Sequence, residues 1–175
     1  MVGRVHYWKG QSYFLKIAAS LSAKYPNARF IMVGDAFPGY EYLYKELEAI
    51  KTEFQLQDKV YDLGYRKDIS YILNSLDIFV LPSVLPDPFP TVILEAMSLG
   101  KPVVATAHGG ALEMVADQQT GVIIPVNEPE IAAELIGPLI SDSSTRNQLG
   151  EAGRIRLQEK FSLAAFDQAI IKLFE

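Results

Sequence analysis

The 175-residue chain contains no cysteine and only two histidines, His6 and His108. The absence of cysteine excludes disulfides, thiolate zinc sites and a cysteine nucleophile. Two isolated histidines leave little for a transition-metal site, and lone histidines are more often polar surface or packing residues than catalysts. Metal chemistry built on histidine or cysteine is therefore effectively excluded.

Long apolar runs and an excess of positive charge are also missing. No apolar run approaches the ~20 residues that span a bilayer, and no basic start followed by an apolar stretch resembles a signal peptide, so we expect a soluble cytoplasmic protein. The chain has 16 lysines and arginines against 21 aspartates and glutamates, a net charge of −5, and no long basic run. This balance argues against nucleic acid as a main partner, and any bound anion must be held by local groups.

Three well-known nucleotide-binding or catalytic motifs are absent as well. The sequence has no G-x-G-x-x-G, no G-x-x-x-x-G-K-[ST] and no G-x-S-x-G. Dehydrogenase, P-loop NTPase and serine hydrolase functions therefore lose their main support.

The residues that are present predict one folded domain, since 49% are hydrophobic and 21% are charged. Apolar periodicity predicts helices near residues 14–21, 43–54, 68–74 and 91–99, and strands at residues 28–34, 60–64, 77–83, 102–106 and 122–125. Strands of nearly continuous valine, isoleucine, leucine and phenylalanine, separated by helices, indicate a parallel sheet covered on both faces. The predicted fold is a doubly wound α/β sandwich of three layers.

Both ends of the chain depart from this pattern. After residue 125 the apolar spacing predicts a mostly helical C-terminal third, in which Gly137 and Pro138 should end or kink the first helix. At the other end, Val2–Val5 begins abruptly, like the end of a first strand whose earlier part is missing. The chain is therefore interpreted as a fragment.

Two cations occupy the first strand-to-helix turn. Ligands of open parallel sheets bind beyond the carboxyl ends of the strands, where such turns gather. Arg4 and Lys9, flanked by Gly3 and Gly10, lie immediately before a predicted helix. A guanidinium fork, a compact ammonium and free amides at a helix start together suit a diphosphate. A solvated turn with two surface cations is equally compatible with the spacing.

Two acids, Asp87 and Glu95, flank another helix start. Pro90 fits the first helical position, which leaves the N–H groups of residues 91–93 available to an anion. The two carboxylates could accept hydrogen bonds from sugar hydroxyls at different parts of one ligand. The alternative, favoured by the spacing alone, is that Asp87 caps the helix and Glu95 is a surface residue.

Two further turns are open to both interpretations. Gly109 and Gly110, followed by Glu113, suggest a backbone that closely approaches something, but a simple tight turn explains them equally well. Gly64 and Tyr65 end a strand and are either a plain turn or the wall of a pocket.

These motifs, taken in order, resemble the carboxyl-terminal domain of family 4 glycosyltransferases. The resemblance covers Val2 to about Phe174 and rests on VGR with KG five residues on, DLGY, DIFVLPS, DPFPTVILEAMSLGKPVVAT, GG followed by E, and GEAGRIRLQEKFS. It implies a Rossmann-like donor-binding domain, residues 1–175, forming one half of a two-domain GT-B enzyme. Members are retaining, need no metal or other cofactor, and bind the nucleotide-sugar donor mainly on this domain.

The resemblance also assigns roles to residues. It implies that Arg4 and Lys9 hold the donor diphosphate, where preplaced cations stabilise the charge that grows as the glycosidic bond breaks. Asp87 would orient the hydroxyls of the donor sugar, and Glu95 would bind the ribose. Other residues are also implied to contact the donor. They are Gly3, Phe89, Pro90, Thr91 and Val92, then Gly64, Tyr65 and Arg66 around the nucleobase, and Gly110 and Glu113 along the pocket.

The chain departs from the family pattern in three ways. Asp87 stands where glutamate is usual, and Pro90 replaces a common glycine, which could shift the preference for the donor sugar. The amino-terminal acceptor domain is absent, so we expect the chain to bind donor but to transfer little by itself. From the family, UDP or GDP sugars are the expected donors, and polysaccharide or glycoconjugate synthesis is the expected process. Association of the parent protein with the inner face of the membrane is left open.

Three other functions compete with a transferase. A GT-B sugar-nucleotide epimerase would have a similar donor pocket but is expected to lack the DPFP-to-Glu95 arrangement. A non-catalytic nucleotide-sugar-binding module would keep the polar contacts without transfer. A glycoside hydrolase would place two acids on either side of the scissile bond, whereas Asp87 and Glu95 flank a helix start suited to phosphate.

Overall fold

The computed structural model describes residues 1–174. Eight helices and five strands follow a short 3₁₀ turn at Tyr7–Lys9: α1 (Gln11–Lys24), β1 (Phe30–Met32), α2 (Tyr42–Glu53), β2 (Val60–Asp62), α3 (Ile69–Ser75), β3 (Phe79–Leu81), α4 (Thr91–Ser98), β4 (Val103–Thr106), α5 (Ala111–Met114), β5 (Gly121–Ile124), α6 (Pro129–Ser141), α7 (Ser143–Lys160) and α8 (Leu163–Ile171). Helices and strands alternate up to β5, and from there to residue 174 the regular elements are all helices. Both the alternation and the helical C-terminal third were predicted from the sequence.

All strand pairings are parallel and fall into two groups. β1 pairs with β2, and β4 lies between β3 and β5. The segment Met1–Val5 runs beside the end of β1 through bridges from Val2 to Val33 and from Val5 to Ala36. Val2 also packs in one apolar cluster with Phe79 of β3. The predicted first strand is therefore reduced to two bridging positions, but it lies next to both strand groups.

Alternate residues of the central strands face opposite layers of helices. Val80 and Val104 pack in the cluster that contains the apolar faces of α1, α2 and α6. Their neighbours Phe79 and Val103 pack in the cluster that contains the faces of α3, α4 and α5. Because side chains alternate along a strand, a strand covered on both faces is apolar at every position. This three-layer packing confirms the α/β fold class.

Helix α6 continues past the residue expected to end it. Pro138 lies inside α6, which runs on to Ser141. An internal proline removes one hydrogen bond and costs roughly 3 kcal/mol. The helix buries Ile136 and Leu139 against the core on either side of the proline, and this burial holds the last turn in place. Of the two outcomes predicted for the Gly137–Pro138 pair, an end and a kink, the end is therefore excluded.

The three C-terminal helices differ in burial. α6 buries an apolar face and α7 buries only small parts of its surface, whereas α8 has no buried residue. Within residues 1–174, no helix combines the length and apolarity that crossing a membrane requires.

Tyr13 ties α1 to the segment after β5 and should make stability depend on alkaline pH. Its buried hydroxyl donates to the carbonyl of Pro125 at 2.7 Å, and burial raises the pKa of Tyr13 from 10.0 to about 12. A raised folded-state pKa gives stability that is complete below pH 10 and is lost as the pH rises towards 12. Between these pH values, the wild-type free energy of urea unfolding should fall more steeply than that of Tyr13→Phe. Parallel curves for the two proteins would contradict this role.

Candidate functional site

Turns from several strands meet at one edge of the sheet, as the parallel topology requires. The 3₁₀ turn at Tyr7–Lys9 rests directly on the chain leaving β3. The N–H of Val84 donates to the carbonyl of Trp8 at 2.7 Å. A Cβ added to Gly10 would lie 1.8 Å from the carbonyl oxygen of Pro82. The backbone contact at Gly10 thus fixes the position of the cation-bearing turn relative to β3.

An ion pair joins the two turns that the sequence singled out separately. The Lys9 ammonium donates to the Asp87 carboxylate, and the two side chains keep 19% and 21% of their surface exposed. Asp87 therefore does not cap α4, and the alternative interpretation of this residue as a helix cap is excluded. Partial exposure leaves both charged groups accessible to a ligand from the carboxyl edge of the sheet.

Arg4 lies in the same turn as Lys9 along the chain but is held differently. Its guanidinium carbon stacks 4.5 Å from the centre of the Phe37 ring, and the side chain is exposed. No carboxylate in the described part of the chain forms an ion pair with it. A cation that is not neutralised by an acid is available to an incoming anion.

Gln11 supports the Arg4 turn from beneath. Its side-chain amide donates to the carbonyl of Arg4 at 2.7 Å, and only 5% of the residue is exposed. The sequence analysis missed Gln11. The available signal was a polar residue that begins a helix whose next turn is largely apolar, directly after the Lys9–Gly10 pair.

Replacing Gln11 by leucine should loosen this turn. The Arg4 carbonyl would lose its donor, which costs roughly 1–2 kcal/mol when the group is shielded from water. We expect that decrease in the free energy of unfolding measured with urea. The exposed Gln57 offers the matched control, and Gln57→Leu should leave the free energy within about 0.5 kcal/mol of wild type. Equal effects from the two substitutions would show that Gln11 has no supporting role.

The start of α4 at Thr91 agrees with the predicted range 91–99, whereas the position predicted for Pro90 differs by one residue. Pro90 is the N-cap with ψ of 87°, and Thr91 is the first helical residue. The placement of Pro90 at the first helical position is therefore wrong. The Pro90 carbonyl accepts the N–H of Ile93 at 2.9 Å. The Ile93 amide was predicted to be available to an anion, and this prediction is wrong. The amides of Thr91 and Val92 have no hydrogen-bond partner in the described chain.

Phe89 and Glu95 border this helix start on the solvent side. Phe89 is 55% exposed. Glu95 is exposed, and its carboxylate has no partner among residues 1–174, although its backbone carbonyl accepts the Ser98 hydroxyl at 2.7 Å. A free carboxylate on the second turn of α4 can accept hydrogen bonds from a ligand seated at the helix start.

The Gly109–Gly110 turn supports Asp87. The N–H of Gly110 donates to the carbonyl of Asp87 at 2.8 Å. A Cβ on Gly109 would lie 2.6 Å from that same carbonyl oxygen, and one on Gly110 would lie 2.2 Å from the carbonyl oxygen of Pro88. The sequence left open which group the glycine backbone approaches closely. The structure shows that this group is the backbone of the DPFP turn. The glycine pair fixes the backbone that carries Asp87.

Glu113 lies beyond this turn on the exposed side of α5. Its backbone carbonyl accepts a hydrogen bond from the Arg156 guanidinium at 2.8 Å. Arg156 also donates to the carbonyl of Met114 at 2.8 Å, so α7 holds the end of α5 in place. The sequence analysis did not single out this arginine.

Gly64 lines a second part of the edge, between β1 and β2. A cavity of about 180 Å³ is bounded there by residues that include Gly3, Gly34 and Gly64. The neighbouring Tyr65 is 68% exposed, and Arg66 forms two hydrogen bonds to Asp68, at 2.9 and 2.7 Å. Tyr65 and Arg66 are not part of the cavity wall.

A buried lysine lies under this cavity and was also missed by the sequence analysis. Lys51 has a side chain only 8% exposed and forms ion pairs with Glu48 and Asp62, which both line the cavity. Burial alone would lower the pKa of Lys51, but the hydrogen bonds to the two carboxylates outweigh it and raise the pKa. The lysine stays charged and fixes two acids at the cavity floor.

A larger cavity, of about 580 Å³, lies at the opposite edge of the sheet. It is bounded by α1, α6 and the amino ends of β1 and β3, with residues such as Phe14, Phe30 and Ile136 in its wall. None of the residues predicted to bind a ligand takes part in it. The chemistry of the chain is therefore concentrated at the carboxyl edge.

The family of the chain follows from comparison with known proteins. The family model described as Glycosyl transferases group 1 matches residues 1–156. The chain belongs to the group 1 glycosyltransferases. This matched range contains every turn described above, from Gly3 to Glu113.

Solved structures of similar proteins have the same fold. The Anabaena protein HepE, crystallised with UDP and also with UDP-glucose, is 32% identical over 99% of this chain, with TM-scores of 0.90 and 0.89. The C-terminal domain of LpcC from Francisella tularensis is 26% identical over 93% of the chain, with a TM-score of 0.84. The fold is thus that of the carboxyl-terminal half of a GT-B glycosyltransferase.

Full-length relatives are about twice as long as the chain. A Campylobacter jejuni enzyme, N,N'-diacetylbacillosaminyl-diphospho-undecaprenol alpha-1,3-N-acetylgalactosaminyltransferase, is 31% identical over 100% of the chain and 43% of its own length. The chain likewise spans 47% of HepE. It therefore corresponds to somewhat less than half of each of these two proteins.

Proposed function

We propose that the chain is the donor-binding domain of a retaining family 4 glycosyltransferase, which transfers a sugar from a nucleotide diphosphate sugar to an acceptor. The observation that carries this proposal is the Lys9–Asp87 ion pair beside the free amides of Thr91 and Val92. A cation, an acid and unpaired N–H groups at one helix start provide complementary partners for a phosphorylated sugar. UDP and GDP sugars are the proposed donors, and the UDP-bound structures of HepE favour uridine.

The diphosphate is assigned to Arg4, Lys9 and the start of α4. Arg4 is not paired with an acid, and Lys9 lies within reach of the same turn as Thr91 and Val92. Helix N-termini attract anions because their first amides are unpaired and the helix dipole is positive there. As the bond between sugar and phosphate breaks, these groups stabilise the charge that develops on the leaving phosphate.

The sugar and the nucleoside are assigned to the two acids and to the glycine-lined cavity. Asp87 accepts hydrogen bonds from sugar hydroxyls, with Phe89 and Pro90 beside it, and Glu95 accepts them from the ribose. The exposed, unpartnered carboxylate of Glu95 supports this second role. The base is directed towards the region of Gly3 and Gly64, where the small cavity opens.

Donor binding must rearrange the Lys9–Asp87 pair. In the free chain each group neutralises the other, whereas the proposal assigns Lys9 to phosphate and Asp87 to hydroxyls. The exchange is electrostatically balanced because the diphosphate replaces the carboxylate as partner of the ammonium. The free pair keeps the Asp87 carboxylate oriented before the donor arrives.

The remaining parts of the proposal concern the whole protein. We propose that an amino-terminal domain binds the acceptor, that the chain alone transfers little sugar, and that the parent acts in polysaccharide or glycoconjugate synthesis in the cytoplasm or at the inner membrane face. We further propose that catalysis proceeds without a metal or other cofactor.

Calorimetric titration with UDP, GDP and ADP and their common sugar conjugates tests this function. We expect one base to bind, and Glu95→Gln to weaken that nucleotide roughly tenfold, because a ribose contact to a charged acceptor is lost. Glu134→Gln, an exposed substitution on α6, should change the affinity less than twofold. Binding of no nucleotide by the folded wild-type chain would overturn the donor-domain function.

A further inference from the structure

His108 has a chemical feature that the proposed donor contacts do not use. Both of its ring nitrogens are shielded from solvent, and neither has a hydrogen-bond partner within residues 1–174. Buried polar atoms without partners are rare because removing them from water costs free energy that no new bond offsets. A side chain with two such atoms next to a binding site is a candidate ligand contact.

The position of His108 connects it to the Asp87 turn. Its own N–H donates to the carbonyl of Thr106 at 2.8 Å, which turns the chain sharply at the carboxyl end of β4. The next two residues, Gly109 and Gly110, pack against the backbone of Asp87 and Pro88. His108 therefore directly precedes the glycine pair that supports the turn to which the donor sugar is assigned.

The end of the neighbouring strand β3 also carries a shielded polar atom without a hydrogen-bond partner. The Thr106 hydroxyl donates to the carbonyl of Ser83 at 2.6 Å, which joins the ends of β3 and β4. The Ser83 hydroxyl is itself shielded and without a partner in the described residues. Unsatisfied polar atoms thus occur on both strands that lead into the Asp87 and Gly109–Gly110 turns.

The chemistry of the imidazole favours hydroxyls over phosphate. A neutral histidine presents one N–H donor and one acceptor nitrogen, whereas a phosphate oxygen only accepts and would leave the second nitrogen unsatisfied. A sugar hydroxyl both donates and accepts, so adjacent hydroxyls match both ring nitrogens. Asp87 also reaches less far than a glutamate by one methylene, which leaves part of the sugar for another side chain.

We propose that His108 is a specificity residue that binds hydroxyls of the transferred sugar beside Asp87. The proposal rests on the donor-binding function and adds a contact that discriminates between a nucleotide and its sugar conjugate. His6 provides an internal reference. One of its ring nitrogens is also shielded without a partner, but its ring packs against both Tyr7 and Tyr40, with a centroid distance of 4.4 Å to each.

Nitrogen-15 NMR of the imidazoles tests the contact without any substitution in the observed protein. The chain has only two histidines, so His108→Asn assigns both sets of ring signals. The probes are UDP and UDP-glucose, or GDP and GDP-mannose if the nucleotide panel selects guanosine. The His108 ring signals should shift with the sugar conjugate and not with the bare nucleotide, while His6, which lies in the diphosphate turn, should respond equally to both. Identical His108 spectra in the two complexes would overturn the proposal.

Affinity measurements on two variants give a second readout. His108→Phe keeps an aromatic ring without polar atoms and should weaken the sugar conjugate roughly tenfold while changing the bare nucleotide less than twofold. His108→Asn keeps a donor and an acceptor and should retain more of the affinity for the conjugate. Equal losses for nucleotide and conjugate, or no loss, would overturn the specificity role while leaving the donor-binding function intact. A wild-type chain that binds neither probe overturns both.

Discussion

Replacing Arg4 and Lys9 together by alanine is expected to weaken nucleotide diphosphate binding by a factor of roughly 100 or more. Each charge-assisted hydrogen bond contributes about 1.5–3 kcal/mol, and two such losses multiply in the dissociation constant. Neither cation is needed by the apolar core, since Arg4 is exposed and Lys9 lies at the surface end of its turn. Calorimetric titration of the double variant beside the wild-type chain measures this loss.

A control for net charge comes from the opposite edge of the sheet. The exposed Lys24 and Arg29 lie at the end of α1 and just before β1. Replacing both by alanine changes the net charge by the same two units, yet distant surface charges are largely screened by salt. This control should bind within about twofold of wild type. Equal weakening of the two double variants would mean that overall charge, and not the turn, holds the nucleotide.

The Lys9–Asp87 pair makes the two single variants unequal. Lys9→Ala removes a phosphate partner and also leaves the Asp87 carboxylate without its cation, so a negative charge would face the diphosphate. We therefore expect Lys9→Ala to weaken binding more than Arg4→Ala. Adding Asp87→Asn to Lys9→Ala should restore part of the affinity for the bare nucleotide, because the repulsion disappears. A further loss in that double variant would contradict this electrostatic account.

The second large effect is expected from Gly10→Ala. Gly10 has φ of +78°, and an added Cβ would lie 1.8 Å from the Pro82 carbonyl oxygen. The left-handed conformation costs a residue with a side chain roughly 1–2 kcal/mol, and an overpacked contact adds about 1–3 kcal/mol. We expect the free energy of unfolding to fall by roughly 3 kcal/mol and Tm to fall by about 6–12 °C. Urea and thermal unfolding measure the two quantities.

Gly100→Ala separates the two causes of this loss. Gly100 has a similar φ of +64°, but nothing lies within 4 Å of a Cβ built on it. Its substitution should therefore cost only the roughly 1–2 kcal/mol of the conformation, and nucleotide affinity should stay at the wild-type value. Gly10→Ala should also weaken nucleotide binding, since relief of the clash moves Lys9 away from Asp87. Equal stability losses for the two variants would show that the contact with Pro82 does not restrict Gly10.

Local sequence patterns predicted the fold class because each pattern is set by near neighbours along the chain. The continuous apolar runs predicted strands covered on both faces, and β4 at Val103–Thr106 and α4 at Thr91–Ser98 lie within one residue of the predicted bounds. The helix does not end at Pro138, because burial of Ile136 and Leu139 outweighs a local helix-breaking signal. Tertiary packing can override a local preference whenever it supplies more free energy.

The sequence alone determined that a cation-bearing turn and an acid-bearing turn both lie at the carboxyl edge, because parallel strands place all such turns together. Only the tertiary structure decided that Lys9 pairs with Asp87, 78 residues further along the chain. It likewise decided that Gly110 supports Asp87, that Gln11 supports Arg4, and that the ring nitrogens of His108 are left without partners. These contacts join distant segments, and no periodic pattern records them, since periodicity reports which face of an element is buried and not which side chains meet there.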